Sequence, residues 1–380
     1  MPAPRNVVDL LRDLVAIPSV NPAGEPGTDA TGEQAMADYV AAFLRDLGAD
    51  VRLDEIEPGR PNVVAEFRPE SGAARAHFAF APHLDTVSVA GMTIAPFDPV
   101  VRDGKLFGRG SSDTKGPMAA ALWALHDWAH SPARAQSDVA WTFLGLMGEE
   151  AGQEGSRAVA ASGFRSDLAL VLEPTSLGVV TAHKGVLWLE VETAGVACHG
   201  SAPQNGRSAI YAMRRVLEIV ETQFLPELAQ RTHPSLGPAT VNVGTIRGGS
   251  KINIVPDHCR IELDCRLVPG ANAAEIRARL ESLLRDAVPD ARVIEQRHAA
   301  PLDTDEKLPW VARLGAVARG LTTAPWYSDA AVLGHAGCPA VCVGPGSIAQ
   351  AHTKDEFIAV QDLEEGADFF RRWIAAAEER

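Results

Sequence analysis

Cysteine is scarce and unpatterned. The 380 residues contain five (Cys198, Cys259, Cys265, Cys338 and Cys342), an odd number without a CxxC pair. That excludes a zinc finger and fits reduced, mostly buried thiols. Basic runs are missing too. With 35 Lys and Arg against 49 Asp and Glu, the formal net charge is −14. A nucleic-acid partner, which needs a basic footprint, is therefore not expected. No apolar run is long enough to span a bilayer, and the start, Met1 to Asn6, lacks the apolar stretch of a secretory signal. A membrane partner is thus not expected, and a cytoplasmic location is. Internal repeats and low-complexity linkers do not stand out. What is present is the balance of an ordinary globular protein, 46% hydrophobic and 22% charged. The length suggests about two domains.

The first half alternates helical and strand patterns. Val7, Leu10, Leu11 and Leu14 recur at helical spacing, as do Met36, Val40, Phe43, Leu44 and Leu47 before a stop at Gly48. Strand-like runs follow at 62–67, 77–82, 141–147 and 168–172, with a helix over 118–129. Such alternation argues for an α/β layer with a mainly parallel sheet, whose chemistry gathers at the carboxyl ends of the strands. The middle reads as strand (186–193), helix (209–224), strands (240–246 and 259–268), helix (273–287) and a closing strand. That order suggests a small α+β sandwich with one open sheet face. After about Pro301 the first style returns, with a helix near 310–320, a strand at 340–343 and a final helix from Leu363. Residues 1–182 and 299–380 are read as a discontinuous catalytic domain and 183–298 as a domain inserted into it.

Four stretches place acids and histidines where strands end. In His83-Leu84-Asp85, alternation along the strand points His83 and Asp85 to the same side, which suits a metal-binding imidazole with a carboxylate beside it. A solvated pair at a strand end is the plain alternative. In Gly108-Arg109-Gly110-Ser111-Ser112-Asp113-Thr114-Lys115-Gly116, the glycines permit unusual backbone angles in a loop that delivers Asp113 ahead of a helix. A dinucleotide loop fails here, because Asp113 occupies the third glycine of GxGxxG, and no Walker lysine is followed by Ser or Thr. Glu149 and Glu150 follow a buried strand, where two acids are costly unless paired, protonated or metal-bound. One can hold a cation while its neighbour handles protons; an exposed acidic turn is the alternative. Glu173-Pro174 closes another strand, and His352 ends Gly344-Pro345-Gly346-Ser347-Ile348-Ala349-Gln350-Ala351-His352. Each alone reads more readily as a structural or surface residue than as a ligand. Together, two imidazoles and three carboxylates suit a pair of zinc-like ions.

The order HxD, GxxDxKG, EExGxxG, EP and a late His resembles the co-catalytic zinc amidohydrolases, the family of acetylornithine deacetylase, succinyl-diaminopimelate desuccinylase, aminoacylases and glutamate carboxypeptidases. The likeness runs through essentially the whole chain. It implies a zinc-peptidase-like α/β/α catalytic domain with an inserted ferredoxin-like α+β sandwich that serves as lid and dimerisation domain. It implies two divalent ions per subunit, zinc first, with cobalt or manganese as alternatives. Asp113 would bridge them, His83 and Glu173 completing one shell, Glu150 and His352 the other. Asp85 would orient His83 from behind, and Glu149 would be the general base on the bridging water. A cis peptide after Asp113 is implied as well. One departure lies outside the metal shell: Asp85-Thr86-Val87-Ser88 lacks the proline usual there.

In the middle segment, Cys198-His199-Gly200-Ser201 resembles the family's stretch whose histidine reaches the partner subunit's active site and stabilises the oxyanion. Asn253 and Arg266 resemble substrate-holding positions, the guanidinium suited to a free carboxylate. The implied reaction is hydrolysis of an amide beside a free carboxylate, on a small-molecule N-acyl amino acid, by a homodimer. The tail, with Asp355-Glu356-Phe357 after His352, looks most like acetylornithine deacetylases. Succinyl-diaminopimelate desuccinylase, a broad aminoacylase or a carboxypeptidase are alternatives, and a catalytically silent ligand-binding or assembly protein is a remoter one.

Overall fold

The alternation in the outer parts of the chain builds a mixed sheet with helices packed on it in the computed structural model, which describes residues 4–70 and 72–379. Met1 to Ala3, the first residues read for a leader, lie outside the described residues. Strands Val139–Gly145, Ala76–Ala81, Leu168–Val171 and Ala340–Cys342 lie side by side and parallel. Arg60–Phe67 and then Asp50–Glu57 extend the sheet antiparallel at one edge.

The helix Lys115–Ala129 carries buried residues on nearly every face, among them Met118, Ala119, Ala120, Ala121, Leu122, Ala124 and Leu125. A helix apolar all round is one enclosed by its neighbours. It packs against Val7–Ala16 and the C-terminal helix Val360–Glu378. Beneath them, Phe78 and Phe80 of a central strand meet Trp141, Phe370 and Trp373, with Phe80 stacked on Trp141 at 5.3 Å between ring centroids. This aromatic layer is core on one side of a strand buried on both, and parallel pairing brings the carboxyl ends of the four strands to one edge of the sheet.

The chain divides into two compact units. The first holds residues up to Thr181, Thr304–Thr322 and those from Ser328 on; the second holds Ala182–Asp303 and Thr323–Tyr327. That last piece falls within 299–380, the stretch read from the sequence as catalytic domain. In the second unit, Thr240–Gly248, His258–Leu267, Gly185–Ala194 and Arg292–Ala299 form an antiparallel sheet in that spatial order. Helices Ala209–Ile219 and Ala273–Arg285 cover one face over Leu187, Leu189, Ile261, Leu263 and Cys265. The fold class is thus an α/β layer combined with an α+β sandwich of ferredoxin-like strand order. The long middle helix expected over 209–224 is α-helical only to Ile219, then widens into a π turn at Val220–Phe224. Among the strands not anticipated are Asp50–Glu57 and Val179–His183.

Candidate metal centre

Each acid and histidine singled out in the outer parts of the sequence follows a strand of the parallel set, or the loop before the buried helix. His83 follows Ala76–Ala81, Glu149 and Glu150 follow Val139–Gly145, and Glu173 follows Leu168–Val171. Asp113 ends the loop before Lys115–Ala129, and its peptide bond to Thr114 is cis. His352, at φ 61°, follows Ala340–Cys342 across a turn. Folding brings them together in two triads: His83, Asp113 and Glu173, and Asp113, Glu150 and His352. Within each, the potential donor atoms lie within 4.8 Å of one another. Asp113 belongs to both. Its Oδ1 is 3.1 Å from His83 Nε2 and its Oδ2 3.4 Å from His352 Nε2, which is 3.2 Å from Glu150 Oε2.

Asp85 is buried behind this cluster. The Nδ1 of His83 lies 2.9 Å from the Asp85 carbonyl oxygen and 3.4 Å from its carboxylate. The main chain is thus the nearer acceptor that orients the ring. The carboxylate also accepts from the backbone N–H groups of Glu149 and Glu150, at 3.2 and 3.1 Å, and from Asn21 Nδ2 at 2.8 Å. Asp85 therefore ties the two-glutamate turn to the strand that bears His83. Two glycines let these turns close. Gly110 has φ 81°, and a Cβ there would meet Thr86 Cγ2 at 2.9 Å and Lys115 Cδ at 3.0 Å. A Cβ on Gly155 would lie 2.4 Å from Asn62 Oδ1 and 2.5 Å from the Met147 carbonyl oxygen.

The electrostatics are those of a site short of positive charge. Burial pushes Glu149 and Glu173 well above the usual carboxylate range; His83 offsets part of this and neighbouring acids add to it. Glu150 is raised for the same first reason. Burial also pushes Asp113 up, but the His352 and His83 rings outweigh it and hold the group low. Hydrogen bonds to Asp113 and Glu150 push the His352 imidazole up to about 10. The two triads thus crowd buried acids around two imidazoles. Such a crowd is costly unless cations are held among it. Mixed imidazole and carboxylate donors fit borderline divalent ions such as zinc, so the residues present suit a metal pair.

Other residues here carried no recognised motif. Asp329, 1% exposed, accepts from Ser156 Oγ at 2.5 Å and Gln153 Nε2 at 3.2 Å, which braces the turn after Glu150. Burial, partly relieved by the Ser156 hydrogen bond, raises its carboxyl to about 6. Its one sequence signal is a helix start, since the Ser328 side chain accepts from Ala330 N. Glu356 was noted only as part of the tail.

His199, Asn253 and Arg266 belong to the second unit. His199 and Asn253 are exposed and adjacent: Gly200 N donates to the Asn253 carbonyl at 2.8 Å, and His199 bridges to Ile254. The ring of His199 lies 2.7 Å from Ser201 Oγ. Arg266 lies on the sheet face opposite the helices, where its Nε donates to Asp264 at 3.1 Å. The structure does not cluster it with the other two.

The profile of peptidase family M20/M25/M40 matches residues 79–376. An acetylornithine deacetylase of Myxococcus xanthus is 31% identical over 345 residues, covering 86% of this chain and 88% of that protein. Among solved structures, an M20 family metallo-carboxypeptidase from Sulfolobus solfataricus superposes with a TM-score of 0.80 at 18% identity, covering 97% of this chain and 98% of that one. A dinuclear metal-binding peptidase of the M20 family from Bacillus subtilis gives 0.69 at 14% identity, covering 98% of each chain.

Proposed function

The chain belongs to peptidase family M20/M25/M40 and is a metal-dependent amide hydrolase, and from that premise we propose that it removes the acyl group from an N-acyl amino acid with a free carboxylate, acetylornithine-type deacetylation being the leading case. The observation that carries this reading is the pair of triads sharing Asp113. His83 and Glu173 would hold one divalent ion, Glu150 and His352 the other, and Asp113 both. Zinc suits the donors best, with cobalt and manganese as alternatives. When bound, the ions would polarise the amide carbonyl and make a nearby water more acidic.

The chain's own groups would do the rest. Glu149 belongs to neither triad, and burial raises its affinity for a proton above that of an ordinary carboxylate. It is suited to take a proton from the attacking water and pass it to the amine nitrogen as the C–N bond breaks. Asp85 holds its backbone in place. Arg266 would offer its guanidinium to the substrate carboxylate, and Asn253, at a separate place in the second unit, would hold the substrate elsewhere. His199 would come from the partner subunit to stabilise the oxyanion. The outer segments (1–182 and 299–380) would form the catalytic domain, and 183–298 the lid and dimer contact of a cytoplasmic enzyme.

The finer substrate rests on the tail motif and on a relative named acetylornithine deacetylase. An N-acyl amino acid and a C-terminal peptide residue present the same leaving amine, so a substrate panel decides between them. Protein reconstituted with each metal is expected to release acetate from N-acetyl amino acids faster than it cleaves N-succinyl amino acids or dipeptides. The reverse order would reassign it as a desuccinylase or carboxypeptidase.

A further inference from the structure

Four residues past His352, Glu356 is completely buried and belongs to neither triad. Its carboxylate is the convergence point of the loop that carries Asp113. Oε1 accepts the backbone N–H groups of Ser112 and Asp113, at 2.9 and 3.0 Å. Oε2 accepts that of Gly110 at 2.9 Å and Arg109 Nη1 at 2.7 Å. Its own carbonyl accepts from Gly108 N at 3.0 Å. Arg109, 3% exposed, extends the network by donating to the Ser88 carbonyl at 2.9 Å.

Burying a carboxylate so deeply is costly, and an apolar side chain would fill the space without that cost. It would also leave three backbone N–H groups of one short loop without an acceptor, which buried main chain does not tolerate. The carboxylate fits because successive N–H groups of a curved loop make an anion-binding concavity. The last of those groups is the N–H of Asp113 itself, so the bond acts within one residue of the carboxylate common to both triads.

We propose that Glu356 is a positioning residue that holds Asp113 as the shared ligand and so sets the affinity of the divalent-ion pair. The proposal rests on the two-metal reading of the triads. Groups that orient metal ligands typically change affinity by about 10- to 100-fold when altered. Glu356→Gln keeps the volume but turns an –NH2 toward donors, and is expected to weaken zinc binding by that range. Glu356→Asp keeps the charge, falls one methylene short, and should lose less.

The experiment titrates metal-free full-length protein with zinc against a chromophoric chelator, alongside the thermal midpoint of the same metal-free samples. Leu122→Ala, a cavity in the buried helix, serves as a control expected to lose stability but keep its zinc affinity. Wild-type protein that binds no zinc would sink the two-metal reading itself. If wild type binds two ions, at least a tenfold loss in Glu356→Gln, absent from Leu122→Ala, supports the proposal. Should that variant fail to fold, a loss in Glu356→Asp beyond that of the control supports it equally. Wild-type affinity in whichever of the two folds, or a loss no larger than the control's, overturns it.

Discussion

Adjacent residues can differ in what they are able to do, and Glu149 and Glu150 show why. Glu150 lies 3.2 Å from His352 and belongs to a triad, whereas Glu149 belongs to neither. Glu149→Gln is therefore expected to retain the metal content of the wild type while turnover falls by about 10²–10⁴-fold, the usual worth of a positioned general base. Elemental analysis beside initial rates checks both halves, and unchanged turnover would remove Glu149 from the mechanism. The residues of the triads were legible because strand alternation and motif order point to them. Asp329 and Glu356 were not, since a buried acceptor for donors elsewhere in the chain obeys no period. Glu356 meets its partners about 245 positions upstream, from Gly110 to Asp113, a relation that only the folded chain displays.

Several elements were legible from their apolar pattern. The strands Ala76–Ala81 and Leu168–Val171 are apolar runs buried on both faces, and they stand within a residue or so of the expected bounds. Asp50–Glu57 was missed because it is an edge strand whose residues are partly or fully exposed, and its charges mask the alternation. The π turn at Val220–Phe224 keeps an apolar pattern close to that of a helix, so periodicity passed straight through it. The turn from Gly148 to Gly155 is held at close quarters: a Cβ on Gly155 would press on Met147 backbone and on Asn62 Oδ1. Gly155→Ala is thus expected to cost about 1–3 kcal/mol, the range for forced overpacking. A lowered denaturant midpoint would show it. An unchanged midpoint would mean that the turn has room to move.

For the whole molecule, the second unit bears none of the triad residues, yet His199 is assigned an active-site role. The proposed two-fold dimer would reconcile these, each subunit lending the same surface to the other. Homodimers of His199→Ala and of Glu149→Gln are both expected to be nearly inactive. After subunit exchange, half the dimers are mixed and each has one intact site, so activity should return to roughly a quarter of wild type. If mass analysis confirms exchange and activity stays at the level of the separate mutants, His199 does not act across subunits. The central claim is hydrolysis by a metal pair held on Asp113, and one measurement reaches it directly. Metal-free protein is titrated with zinc, and acetate released from an N-acetyl amino acid is followed at each step. Release is expected to be negligible at the start and to rise until it saturates near two ions per chain; full release from protein with no bound divalent metal, or none at any loading with zinc, cobalt or manganese, would contradict hydrolysis by a metal pair.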